Sequence, residues 1–237
     1  ESRTVSPFEY ILESVKILKK YFPMIGIEVY ALHDFEYKLL NEAGVNYLTI
    51  YQETYLDDYY KKYHSIGPKK DYNFRIDAPE RAAKGNFVGI GLGVLGGLTQ
   101  IEQDVFYLGL HGKYILENYS EIEVSFSIPR LRPTHGGFEY YKIVDDKTFV
   151  QMLLALRLFI PRCGITVSTR ETNELRNNLL PLCVTKVSAG VKTSVGGYSS
   201  CNSDNTEQFE ISDSRSVEEM YNDLIKKGFD PTFKDWF

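Results

Sequence analysis

The residues able to do chemistry in this chain of 237 residues fall into short polar clusters spaced along its length. Gln52, Glu53 and Thr54 form the first, and Arg130 and Arg132 within PRLRP the second. Ser168, Thr169, Arg170 and Glu171 form the third, and Ser188 and Lys192 the last. A guanidinium binds a carboxylate through two parallel hydrogen bonds, so arginines grouped with hydroxyls and an amide suit an anionic, amino-acid-like ligand. A single such residue is as readily a solvated loop side chain, and the reading rests on their joint polarity. The glycine-rich GIGLGVLGGL, residues 89–98, has neither the lysine of a P-loop nor a dinucleotide spacing. Its glycines would let a flat ligand lie against the backbone, or let strand and helix pack closely. His33, His64, His111 and His135 are far apart with no H-x-x-x-H pair, which speaks against a zinc hydrolase. Cys163, Cys183 and Cys201 are odd in number and widely spaced, so they suggest ordinary thiols, neither a zinc site nor a disulfide framework. Tyr59, Tyr60 and Tyr63 lie on a helical stretch and are expected to cover core edges.

These clusters need elements to hold them. Apolar spacing predicts a helix over 7–22 with Ser6 as its N-cap, a strand at 27–32, a helix over 34–43 closed by Gly44, and a strand at 46–51. Helical stretches at 56–63 and 78–84 precede a strand at 87–92, and a helix over 100–118 precedes a strand at 123–128. A helix over 146–160 leads to ITVS at 165–168, a short helix over 173–178 to VTKVS at 184–188, and an amphipathic helix covers 216–227. Strands alternating with helices imply a parallel sheet with right-handed crossovers. The strand starts recur about every 31 residues, the average of an eight-unit TIM-type barrel. A doubly wound open sheet has the same alternation. The expected fold class is therefore α/β, an incomplete TIM-type (β/α) barrel of six parallel strands. In such barrels reactive residues sit at the C-terminal strand ends, where the polar clusters fall, while Gly44, Gly85 and Gly164 mark the other end. Six strands leave two long edges of unpaired backbone, to be covered by an N-terminal segment, a second chain or loops.

Composition sets outer bounds. With 43% hydrophobic and 25% charged residues the chain has the makeup of one globular domain over 1–237, with a C-terminal helix and a tail from about 205. A net charge of −5 lacks the basic excess that nucleic acid or an anionic membrane attracts. Apolar stretches such as 87–98 are shorter than the roughly 20 residues of a membrane span, and no leader is visible, so the cytoplasm is the expected location.

Several motifs in one order carry a resemblance: IYQETY (50–55), HSIGPKKDY (64–72), RIDAPERAAKG (75–85), the glycine run, PRLRP, STRE (168–171), VSAGVKTSVGGY (187–198) and FKDW (233–236). Together they resemble the C-terminal two thirds of the 2-iminoacetate synthase family, the tyrosine lyases of thiamine biosynthesis, which are radical S-adenosylmethionine barrels. The resemblance implies cleavage of tyrosine between Cα and Cβ, giving 2-iminoacetate for the thiazole and 4-cresol. It also implies S-adenosylmethionine split by a 4Fe-4S cluster, with a thiazole synthase and an electron donor as partners. The family's C-x-x-x-C-x-x-C motif is absent. Glu1 matches the glutamate of a Gly-Glu pair that ends the family's second strand, so the six strands correspond to strands three to eight. The chain is then a fragment, expected to be inactive alone and able to self-associate through open edges.

By resemblance, Arg75 clamps the methionine carboxylate, and Glu28, Tyr51, Gln52, Glu53 and Thr54 face the ribose and methionine portions. Gly91 and Gly93 would lie beside adenine. Ser168, Thr169, Arg170, Glu171 and Ser188 fall to the tyrosine, with Arg130 and Arg132 lining its pocket or bracing the loop. Two other readings are a tyrosine-cleaving hydrogenase maturase, which bears an extra C-terminal cluster whose cysteines are missing after Cys201, and a non-catalytic binding or assembly module.

Overall fold

Fifteen named helices and strands alternate along the residues that the computed structural model describes, 2–131, 142–193 and 210–233. Helix α1 (Phe8–Leu18) begins one residue past Pro7, which occupies the N-cap position without a side-chain bond. Ser6 is therefore not the cap. Strand β1 (Gly26–Glu28) follows, then α2 (Asp34–Ala43), whose entry is fixed by the Glu36 carboxylate accepting from the His33 N–H at 2.7 Å. Gly44 closes α2 in the left-handed region at φ 114°.

Strand β2 (Tyr47–Glu53), α3 (Asp57–Tyr63), α4 (Tyr72–Ile76) and α5 (Ala78–Lys84) lead into β3 (Gly89–Val94). Next come α6 (Ile101–Asn118), β4 (Glu123–Ser127), α7 (Asp146–Phe159), β5 (Gly164–Val167), α8 (Asn173–Leu179), β6 (Lys186–Val187) and α9 (Val217–Lys226). Side-chain caps begin the later helices: Asp145 accepts from the Thr148 N–H at 2.7 Å, Thr172 from Leu175 at 3.3 Å and Ser216 from Glu219 at 3.2 Å.

The six strands form one sheet in sequence order, with every neighbouring pair parallel. This is the expected arc of a (β/α) barrel. Its two cores lie between sheet and helices. One joins Ile27, Leu48 and Ile50 to Ile11, Val15, Tyr37, Leu40 and Ala82; the other joins Ile90, Leu92, Val124, Phe126, Ile165 and Val167 to helices α6 and α7. Burial of these apolar faces is the main force holding the helical layer on the sheet.

Two strand expectations are corrected. The strands at 27–32 and 184–188 shrink to three and two residues, because each has a single neighbour in the sheet. The exposed edges are accordingly short. The strand expected at 87–92 is present as β3, Gly89–Val94, which takes in the first six residues of the glycine run. Among the described residues no helix is long and apolar enough to cross a membrane.

Candidate functional site

Strand β2 alternates strictly, with Leu48, Ile50 and Gln52 turned to the helices and Tyr47, Thr49 and Tyr51 to the concave side. Register carries that alternation across the sheet. Glu28, Thr49, Gly91, Ser125 and Gly164 form one row, and Tyr51, Gly93, Ser127, Thr166 and Lys186 the next. The concave face is therefore hydroxyl-rich and small, and it walls a cavity of about 1110 Å³. Glycine matters here because rings lie across β3. A Cβ on Gly89 would stand 2.0 Å from the Tyr47 ring, and one on Gly93 would stand 2.5 Å from that of Tyr51. The close approach is thus to a tyrosine ring at Gly89, and at Gly93 to a tyrosine ring and to the Ser127 carbonyl.

At the C-terminal ends of the strands the charged groups gather. The Tyr51 hydroxyl is hydrogen-bonded with Ser127; burial pushes its pKa up to about 12, Glu28 and Glu53 push the same way, and Arg170 opposes them. Tyr51 is therefore a neutral phenol at physiological pH, within electrostatic reach of Glu28, Glu53 and Arg170. Glu53 adopts a left-handed backbone, φ 70°, where β2 ends. Its carboxylate meets Lys69 and lies 3.8 Å from Arg75. Arg75 is 4% exposed and donates from Nε to the Tyr51 carbonyl at 2.8 Å.

The other expected site residues are placed differently. Thr54 is buried away from the cavity, donating to Asp104 at 2.9 Å beside the Tyr55 N–H at 2.8 Å and Thr99. It fastens the end of β2 to the start of α6, and burial raises the Asp104 pKa. Gln52 lies on the helix side of β2, 3% exposed, with Nε2 lacking a hydrogen-bond partner among the described residues. Arg130 and Glu171 pair with each other, Nε to Oε1 at 3.0 Å, and Arg130 also donates to the Val144 carbonyl at 2.9 Å and rests on the Phe149 ring. This pair braces the loops after β4 and β5, so neither group is offered to a ligand. Thr169 is buried, and its carbonyl accepts from Ser212 and Asp213 at 2.9 and 3.1 Å.

Ser168, Arg170 and Ser188 are half-buried at the ends of β5 and β6. The Ser168 hydroxyl accepts from the Arg170 N–H at 3.4 Å, and the Ser188 carbonyl accepts from Arg176. Glu1 and Arg132 lie outside the described residues, as do His135 and Cys201. Sequence reasoning missed Thr49, Ser125, Ser127 and Thr166, although the alternation V-S-F-S in β4 signals a face of small hydroxyls. It also missed Arg176, 1% exposed and paired with Asp213. Among the described residues no three His, Cys, Asp or Glu side chains form a group able to hold a metal. Cys163 and Cys183 are buried just before β5 and β6, at the end opposite the charged rim.

This arrangement has known counterparts. The chain is 34% identical over 229 residues, 96% of its length, to 2-iminoacetate synthase of Escherichia coli, and 33% identical over the same span to that of Salmonella typhimurium. It is a relative of 2-iminoacetate synthase. The chain spans 60% of the length of these 2-iminoacetate synthases. Residues 127–230 match the Biotin and Thiamin Synthesis associated domain. Among solved structures, the FeFe-hydrogenase maturase HydG from Carboxydothermus hydrogenoformans superposes with a TM-score of 0.88 at 29% identity, covering 99% of this chain and 54% of HydG. Methylornithine synthase superposes with a TM-score of 0.70 at 19% identity over 96% of this chain and 64% of its own, a likeness of fold.

Proposed function

We propose that this chain forms the tyrosine- and nucleoside-binding arc of a radical S-adenosylmethionine lyase that cleaves tyrosine between Cα and Cβ, yielding 2-iminoacetate for a thiazole and 4-cresol. The observation that carries the reading is the polar concave face, where Glu28 and Tyr51 line the cavity, Glu53 and Arg170 lie within electrostatic reach of Tyr51, and Arg75 lies 3.8 Å from Glu53. The likeness to 2-iminoacetate synthase along 96% of the chain supports it. S-adenosylmethionine and a 4Fe-4S cluster supply the radical chemistry in the assembled enzyme. The residues described here do not fit a cluster, since the two described cysteines are buried at the wrong end of the strands; the cluster ligands belong to protein outside them.

The chain's own part is binding, orientation and exclusion of water. Arg75, anchored through Nε to the Tyr51 carbonyl and with Nη2 3.8 Å from Glu53, is assigned to the methionine end of S-adenosylmethionine. Ser168, Arg170 and Ser188 take the amino-acid end of tyrosine. Thiazole synthase and an electron donor are the partners this activity requires, and the cytoplasm is its place.

The test is anaerobic iron–sulfur reconstitution of the chain alone and of the chain joined to a segment bearing C-x-x-x-C-x-x-C. The joined protein forms 4-cresol from tyrosine, whereas the chain alone shows neither cluster absorbance nor 4-cresol. Product from the chain alone overturns the division of labour, and none from the joined protein overturns the substrate. In that protein Arg170→Ala lowers kcat/KM for tyrosine about tenfold or more, as for loss of a charged hydrogen bond, and affects S-adenosylmethionine use less. Equal losses refute the role of Arg170.

A further inference from the structure

A second cavity, of about 420 Å³, opens on the outer face between α4, α5 and α6. Its walls are the rings of Tyr72, Tyr107 and Tyr114, and Asp77 and Glu80 stand at its rim. Its floor is Tyr55 and His111, whose hydroxyl and Nδ1 share a hydrogen bond of 2.8 Å. Tyr72 is fixed by donating to the Tyr55 carbonyl at 2.9 Å, and the Tyr55 ring lies 6.4 Å from that of Tyr107. Burial lowers the His111 pKa to about 4, so the floor is neutral at physiological pH and does not repel a cation. Glu80 already accepts from Tyr114 and Tyr119 at 3.1 and 2.9 Å and meets Lys84 at 3.2 Å. The exposed Asp77 carboxylate makes no hydrogen bond or ion pair among the described residues.

The surroundings are those of an interface. Phe106, Tyr107, Leu110 and Tyr114 are 41–61% exposed along one side of α6, which makes an apolar ridge beside the cavity. Helix α6, which carries the ridge, packs over the two central strands β3 and β4, two strands in from either edge of the sheet.

We propose that this cavity docks a basic side chain of a partner protein, with the cation among the tyrosine rings and against Asp77 and the flanking apolar residues on the α6 ridge. Tyrosine faces attract a desolvated cation, and a carboxylate at the rim selects it over a neutral chain of the same length.

The test follows the His111 13Cε1–1H signal of histidine-labelled chain, assigned with His111→Gln, during titration with acetyl-Leu-Arg-Leu-amide, its norleucine counterpart, or agmatine. The arginine peptide shifts the signal saturably, and Asp77→Asn, Tyr114→Leu or about 0.5 M salt each weaken binding about fivefold. Circular dichroism and Tm show whether each variant remains folded. Agmatine binds more weakly than the peptide because it cannot reach the ridge. Three results overturn the proposal: no saturable shift, equal binding of the norleucine peptide, which marks a merely apolar groove, or agmatine matching the arginine peptide, which marks a site for a free amine.

Discussion

Gly93 has no room for a methyl group, and the two atoms that exclude it differ in kind. A Cβ there would lie 2.5 Å from the Tyr51 ring and 2.7 Å from the Ser127 carbonyl oxygen. A ring can turn, but the carbonyl is part of the β3–β4 backbone and cannot move without breaking the ladder. Gly93→Ala should cost about 1–3 kcal/mol in urea unfolding, whereas Gly96→Ala, whose nearest atoms are 3.6 Å away, should be neutral. His111 supplies a pH dependence. Its folded pKa of about 4 lies below the ordinary 6.5, so between these values the unfolded chain binds the extra proton and stability falls as pH falls. From pH 7 to about 4.5 the chain should lose about 2.5 kcal/mol that His111→Gln does not lose, read from urea midpoints at each pH. A stability difference between the two proteins that is independent of pH would refute the buried neutral imidazole.

At the level of elements, helix α9 is held by charge as well as by its apolar face. Arg176 on α8, 1% exposed, pairs with Asp213, and Arg215 bridges Asp213 to Asp223 of α9 at 2.9 Å. Removing one partner leaves a buried charge without compensation. Asp213→Ala should therefore cost about 3–5 kcal/mol, visible as a lower Tm and faster proteolysis of the segment carrying α9. A loss below about 1 kcal/mol would show that the apolar side of α9, Met220 and Leu224, holds it alone. The helix was legible in sequence from its amphipathic period, and the structure adds a Ser216–Glu219 cap. Its anchor was not, because Asp213 lies 37 residues from Arg176. Helix α4 escaped notice for another reason: five residues are too few to display a period.

For the molecule as a whole, the open barrel is the controlling feature. The edges are β1, three residues long, and β6, two residues long, and short edge strands present few unpaired groups to a neighbour. The concave face between them remains accessible, so self-association should be weak and reversible. Light scattering should give a mass that rises with protein concentration. A concentration-independent monomer with one cooperative unfolding transition would remove the self-association and leave barrel completion by other protein as the sole role of the edges.

The sequence by itself determined the alternation of strands and helices, the six-strand count, and the placing of polar clusters at C-terminal strand ends, because periodicity and glycine punctuation act over a few neighbouring residues. It also led to the right relatives, through motifs that run in one order. The tertiary structure alone decided which of those polar groups face the cavity. Thr54 meets Asp104 from 50 residues away and Arg130 meets Glu171 from 41, so both are spent on holding loops, while Ser127 and Thr166 are turned inward by strand register. A side chain's partner in such a sheet is set by packing across the fold, and local pattern carries no record of that distance.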